Sequence, residues 1–233
     1  MYHEIADDLI RSIQHQLFKE KLPTEQKLMS RYNVSRNTIR KSLDIVCQRG
    51  LARRVQGSGY YINNIDRSSK RVVNLTMGIS SKEHRNKLTS KVITFDRIVA
   101  DDALAEQFGA QVGDELHRII RLRYLEGKEY CLEYAYYEKD EIPYIPVEAA
   151  HDSLLDFIDD EYNIRVNSSN QYLSLETLSE EEASLLDMTE RASVLALQQS
   201  NFRKNDILFN FSYTIYVYPD LSFYFHSFNQ DSN

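Results

Sequence analysis

Apolar positions in the first 63 residues recur at helical spacing in three blocks, then give way to short extended runs. Ile5, Leu9, Ile13 and Leu17 return every fourth residue and predict a first helix over Tyr2–Lys19. Leu22-Pro23-Thr24-Glu25 is a start signal. Pro23 ends what precedes it, Thr24 can cap, and Glu25 suits the positive end of a helix dipole. Leu28, Met29 and Tyr32 predict a short second helix, and Asn33-Val34 a tight connection. A third helix opens at Ser35, a good N-cap, with Ile39, Leu43, Val46 and Cys47 on one face. Its other face carries Arg36, Asn37, Arg40 and Lys41. After Gly50, a helix stop, the segments Leu51–Val55 and Tyr60–Ile62 flank Gln56-Gly57-Ser58-Gly59, a hairpin tip beside Arg53 and Arg54.

The rest of the chain is richer in strands. Residues 64–74 are polar and aperiodic and mark the domain boundary. Beyond them the pattern predicts strands over Val92–Ala100, Glu115–Leu125, Tyr130–Glu138, Arg165–Leu178, Val194–Arg203, Ile207–Tyr218 and Ser222–Phe228. Short helices are expected over Asp101–Gly109, Asp152–Tyr162 and Ser179–Leu186. Antiparallel hairpins with a few helices make an α+β domain over 75–233, following an all-helical head with a hairpin over 1–63. Most of the tyrosines and phenylalanines in this part are expected to pack the sheet.

Charge sharpens the division. The net charge is −7, yet residues 1–67 hold 12 Lys and Arg against 7 Asp and Glu, a net of +5. The remaining residues hold 16 against 28, a net of −12. A basic head on an acidic body is expected when one domain alone meets phosphate. The third helix could be an ordinary amphipathic surface helix. With a second helix before it and a glycine-tipped hairpin after it, a winged helix-turn-helix is the better account, and its partner is double-stranded DNA. No apolar run is long enough to span a bilayer and no signal peptide is seen, so a cytoplasmic protein is expected. Cys47 and Cys131 have no ligand-like neighbours, and no metal or cofactor is implied.

Leu22-Pro23-Thr24-Glu25, Val34-Ser35-Arg36-Asn37-Thr38-Ile39-Arg40 and Gly57-Ser58-Gly59-Tyr60-Tyr61-Ile62 together resemble the DNA-binding domain of GntR-type bacterial transcription regulators. The resemblance implies that Arg36 and Arg40 reach bases or adjacent phosphates. Ser35, Asn37 and Thr38 would assist, and Gly57 would let the wing tip approach the minor groove. Independently of the resemblance, a glycine-rich tip at Gln56-Gly57 bordered by Arg53 can approach the sugar-phosphate backbone or enter a minor groove. One position departs. The family usually carries an arginine where this chain has Gln26, so that contact is weakened or falls to Lys27.

Arg121-Leu122-Arg123 is the unusual stretch of the second domain. Alternation puts both arginines on one face. With a three-residue loop Glu126–Lys128, Arg121 lies opposite Glu133 and Arg123 opposite Cys131; a two-residue turn would shift the register and move Glu133 to the other face. Two arginines and a carboxylate could form an exposed salt-bridge ladder or line a site for an anionic, hydroxylated small molecule. Asp114-Glu115 leading into this stretch, Glu133-Tyr134, Ser153-Leu154 and Tyr213–Asp220 resemble the UTRA effector-binding domain of the HutC-like branch, an antiparallel sheet related to chorismate lyase. By resemblance Arg121, Arg123, Glu133, Ser153 and Tyr216 line the effector site, with Ser80 and Ser81 as candidates for its phosphate loop. A tyrosine usual two residues after Ser153 is Leu155 here. A sugar phosphate is the leading effector class.

The expectation is a homodimeric repressor controlled by a small metabolite, since one recognition helix reads only a half-site. A dimeric regulator without an effector is the rival. No GxSxG, HExxH, P-loop or Rossmann fingerprint supports an enzyme, and His117 and His226 stand alone on strands.

Overall fold

The computed structural model describes residues 1–63, 71–75 and 88–227. These fall into two compact units. The first joins the described residues before Glu83 to those from Asp220 onward, and the second runs up to Pro219.

In the first unit, α1 (Tyr2–Gln14), α2 (Glu25–Tyr32) and α3 (Arg36–Gln48) pack around Leu9, Leu28, Ile39, Leu43 and Val46, all fully buried. α1 stops earlier than the spacing predicts. Gln16 takes a left-handed conformation (φ 56°), Leu17 N donates to Ser12 O, and Leu17 is left exposed. No glycine announced this end. At the end of α3 Gly50 is left-handed (φ 69°), Gly50 N donates to Cys47 O and Leu51 N to Val46 O. That pair of bonds is a Schellman motif closing the helix. β1 (Ala52–Val55) and β2 (Gly59–Ile62) form the antiparallel wing. β3 (Arg71–Asn74) pairs in parallel with β10 (Leu221–Tyr224), so the last described strand lies in this unit and apart from the large sheet.

The second unit is a six-stranded antiparallel sheet in the order β4-β5-β6-β9-β8-β7. Its strands are β4 (Leu88–Val99), β5 (Glu115–Leu125), β6 (Lys128–Glu138), β7 (Ser168–Thr177), β8 (Ser193–Arg203) and β9 (Ile207–Tyr216). A 3-10 turn (Val147–His151) and α5 (Leu154–Tyr162) cover one face through Ile142, Ala150, Leu154 and Ile158 against Ile119, Ala135 and Tyr137. α4 (Asp102–Phe108) and α6 (Glu180–Leu185) cover the other, the latter opened by a Ser179–Glu182 capping box.

The β5–β6 turn decides the register at the arginines. Its loop is two residues, Glu126 and Gly127, both at positive φ. The pairing nevertheless puts Arg121 opposite Glu133 and Arg123 opposite Cys131, because the register shifts between Arg123 and Tyr124. The bulge makes Tyr130 the extra residue on β6 and cancels the slip that the short turn introduces. The loop is one residue shorter than the three-residue loop expected, and the pairing at Arg121 and Arg123 is the expected one.

Candidate DNA interface and ligand site

Ser35 opens α3 in extended conformation, and its Oγ accepts from Thr38 N at 3.3 Å while touching Thr38 Oγ1 at 2.9 Å. These two hydroxyls fix the helix start. From there Arg36, Asn37 and Arg40 project from the exposed face while Ile39 and Leu43 stay in the core. Gln26 and Lys27 are exposed in the first turn of α2, which Thr24 caps by accepting from Lys27 N. Glu25 lies between the two arginines. Its carboxylate accepts from Arg40 Nε at 3.0 Å and pairs with Arg36 Nε at 3.4 Å. The sequence showed Glu25 as a helix-start residue; that it joins α2 to both cations of α3 is a tertiary fact.

At the wing tip Gln56 and Gly57 are exposed, Gly57 is at φ 71°, and no atom lies within 4 Å of where a Cβ would stand. Arg53 is held back on the wing, where its Nη1 donates to Asn63 Oδ1 at 3.1 Å. Lys21 adds a cation beside the wing, bridged to Tyr61 and lying over its ring at 5.0 Å. Nothing in the periodicity marked Lys21. The start of α3 thus exposes two arginines and an asparagine, and the wing ends in a bare glycine tip, residue types suited to reading a duplex groove.

In the second unit, register aligns two rows of side chains across the sheet. One runs Ser90, Arg123, Cys131, Tyr216, Leu195, Leu175; the next runs Val92, Arg121, Glu133, Thr214, Leu197, Leu173. Arg121 and Arg123 are both buried, which rules out the exposed ladder. Arg121 is fully engaged. Its Nε donates to Glu133 Oε2 at 2.9 Å, Nη2 reaches the same oxygen, and Nη1 donates to the carbonyls of Ala150 and Asp152 at 3.0 and 2.9 Å. It therefore ties the covering turn to the sheet.

Arg123 differs. Among the described residues its nearest carboxylate oxygen is Glu133 Oε2, 3.9 Å from Nη1, and its buried Nε has no hydrogen-bond partner. Ser90 Oγ, directly opposite on β4, is also buried without one. Burial works to raise the Glu133 carboxyl, but the charges of Arg121 and Arg123 and the Arg121 hydrogen bonds outweigh it and hold the group below its ordinary value. The cluster of Arg121, Arg123 and Glu133 thus keeps one cation more than anions. Tyr216 packs edge-on against Tyr130 at 5.7 Å, and burial raises its phenol well above the usual range. Ser153 caps α5, accepting from Asp156 N, and Leu155 is half-buried against the adjoining core. Ser80 and Ser81 lie outside the described residues. Ser90 is the residue that reading from the sequence missed, since only strand register puts it beside Arg123.

His117 is buried on β5 with Nε2 2.9 Å from Ile142 O, and burial lowers its pKa. It pins a loop. Among the described residues no group of three metal-ligating side chains occurs and no helix is long and apolar enough to cross a membrane.

A basic recognition helix and wing in one unit, and a buried arginine-centred cluster on a sheet in the other, define a DNA-binding regulator with a ligand-sensing domain. Residues 1–62 match the model of the gntR family of bacterial regulatory proteins, and residues 83–219 match the UTRA domain. The chain belongs to the gntR family of transcription regulators, in its UTRA-bearing form. It is 28% identical over 224 residues to the uncharacterized HTH-type transcriptional regulator YydK of Bacillus subtilis, covering 95% of each chain. It is 26% identical over 226 residues to the mannosyl-D-glycerate transport/metabolism system repressor MngR of Escherichia coli, covering 96% of this chain and 94% of that one. The crystal structure of YydK superposes with a TM-score of 0.76 at 27% identity, covering 97% of this chain and 98% of the other.

Proposed function

We propose that this regulator is a homodimeric, cytoplasmic repressor, not an enzyme, whose operator binding is controlled by an anionic, hydroxylated metabolite, a sugar phosphate in the first instance. We assign DNA reading to residues 1–63, a connecting role to 64–74, and effector binding and dimerisation to 75–233, whose last strand returns to the first unit. Arg36, Asn37, Thr38 and Arg40 read the major groove, Gln26, Lys27, Ser35 and Arg53 touch backbone, and Gln56 and Gly57 enter the minor groove.

The observation that carries the effector reading is Arg123, a buried guanidinium whose Nε is unpartnered among the described residues. Such a charge is costly unless an anion joins it, and an anion with hydroxyls would meet Arg123, Ser90 and Glu133 together. Ser153 and Tyr216 complete the proposed lining. MngR, a repressor of a system for a hydroxylated anionic compound, supports the same class.

Dimerisation is supported by β7, which closes one edge of the sheet and exposes Leu173 and Leu175 with Leu195 beside them. A free strand edge bearing an apolar patch is a site for pairing with a second copy. The ligand row through Arg123 and Tyr216 ends at Leu195 and Leu175, so effector occupancy can bias the dimer geometry.

The test is fluorescence anisotropy of the full chain on duplex DNA from its own upstream region, at fixed salt, with sugar phosphates, free sugars and carboxylated sugars. Release by one compound is expected, and Arg123→Ala should keep operator binding while losing that response. Loss of both together would overturn the assignment of Arg123. Specific binding indifferent to all compounds would favour a constitutive regulator.

A further inference from the structure

The carboxyl end of α3 is held by segments from distant parts of the chain. The Schellman bonds serve Val46 O and Cys47 O, and the carbonyls of Arg49 and Gly50 have other partners. Gly50 O accepts from Asn63 Nδ2 at 2.9 Å and from Tyr224 Oη at 3.0 Å, and Arg49 O accepts from Asn74 Nδ2 at 3.0 Å. Asn74 and Tyr224 belong to the parallel pair β3 and β10, where Leu75 N also donates to Tyr224 O at 2.9 Å. Gly50 faces the continuation of β10 closely, since a Cβ there would stand 3.1 Å from His226 Cβ. The end of the recognition helix therefore rests on the last described strand of the chain.

That strand begins a few residues after the proposed effector site. Tyr216 closes β9, Val217 N donates to Tyr130 O at 3.1 Å, and the Tyr218 ring packs on Tyr130 at 5.9 Å. Tyr130 in turn packs on Tyr216. Only Pro219 and Asp220 then separate Tyr218 from β10, with Asp220 left-handed at φ 59°. Proline fixes its own φ, so the connection is a two-residue turn with one backbone torsion locked.

We infer that β10 is a strap: it carries the state of the corner formed by Tyr130, Tyr216 and Tyr218 to the carboxyl end of the recognition helix. The inference rests on reading α3 as the recognition helix and the second unit as the sensing unit. A change at that corner moves Tyr218, the short connection passes the movement to β10, and β10 alters how firmly Arg49 and Gly50 are held.

Hydrogen exchange of the full chain, with neither DNA nor small molecule present, tests it separately from operator and effector. In Tyr224→Phe the amides of Arg49, Gly50 and Leu51 should exchange between about twofold and about tenfold faster, the population effect of one hydrogen bond, with Ile39 and Leu43 unchanged. Tyr218→Ala should speed the same amides from the other end. Inserting Gly-Ser-Gly-Ser between Pro219 and Asp220 should abolish the Tyr218→Ala effect and leave the Tyr224→Phe effect in place. An unchanged helix end in either single variant overturns the strap, as does a Tyr218→Ala effect that survives the insertion. Should Tyr218→Ala unfold the second unit, Tyr218→Leu makes the same comparison.

Discussion

Both units set one glutamate between two arginines, and burial makes the two clusters opposite devices. In the first unit Glu25 bridges Arg36 and Arg40, whose side chains are 58% and 49% exposed. In the second, Glu133 serves Arg121 and Arg123, which are 3% and 10% exposed. Exposed pairs are screened and worth little, so Arg36 and Arg40 can leave Glu25 for phosphate or base at small cost. Buried charges cannot be released that way. Glu133 locks Arg121 into the fold, and under the proposed function the second cation, Arg123, is the one an effector would meet. The same two residue types thus make an exposed, screened cluster in one place and a buried one in the other.

Removing the carboxylate is the largest perturbation expected. Glu133→Gln leaves two buried cations without an anion and should lower the stability of the second unit by about 3–5 kcal/mol, read by urea unfolding of the full chain. A loss well below that would mean that water reaches the cluster and that its burial is not what separates it from Glu25. The wild-type carboxyl is held low, so its stabilisation is present above the unfolded-state value and is lost as pH falls through the still lower folded value.

Glu138, buried on the same strand, sharpens the contrast because among the described residues it has no ion-pair partner. Burial first, then Asp114, Asp140 and Glu141, push its carboxyl up to about 7. The folded state then holds its proton more tightly than the unfolded chain, so this group's contribution to stability falls as pH rises from about 4.5 to about 7. Glu138→Gln should remove that slope and stabilise the second unit at pH 7 by on the order of 2–3 kcal/mol. An unchanged slope in pH-dependent unfolding would show that Glu138 is not its source.

In the first unit the effects should appear on DNA and leave stability alone. Arg36→Ala and Arg40→Ala should each cut discrimination between operator and unrelated duplex by about 5- to 150-fold, with the unfolding midpoint nearly unmoved. Equal weakening on every duplex would make them phosphate contacts only. Glu25→Gln is the mildest. It should tighten binding to unrelated DNA and steepen the salt dependence by about one unit of slope, because a negative charge leaves the duplex-facing surface. A large loss of stability instead would place Glu25 in the same category as Glu133.

Much of this was legible because the relevant forces are local. The caps Thr24, Ser35 and Ser179, the stop at Gly50 and the four-residue spacing of Ile39 and Leu43 act within a turn or two of chain, and each predicted element is present. The early end of α1 escaped, since Gln16 carries no signal for a left-handed residue. Alternation put Arg121 and Arg123 on one face. It could not say that α5 and its preceding turn bury them, nor that a bulge at Tyr130 would keep Glu133 opposite Arg121.

By itself, then, the sequence determined the helices, the wing, the hairpins and the opposed charges of the two parts, since backbone capping and side-chain periodicity are properties of neighbouring residues. Tertiary structure alone decided that Glu25 holds both recognition arginines and that Arg123 is a buried cation facing Ser90. It also decided that the last described strand returns to the end of α3. Those facts depend on desolvation and on pairing between residues 11 to 174 positions apart, such as Tyr224 and Gly50, and no local pattern encodes such distances.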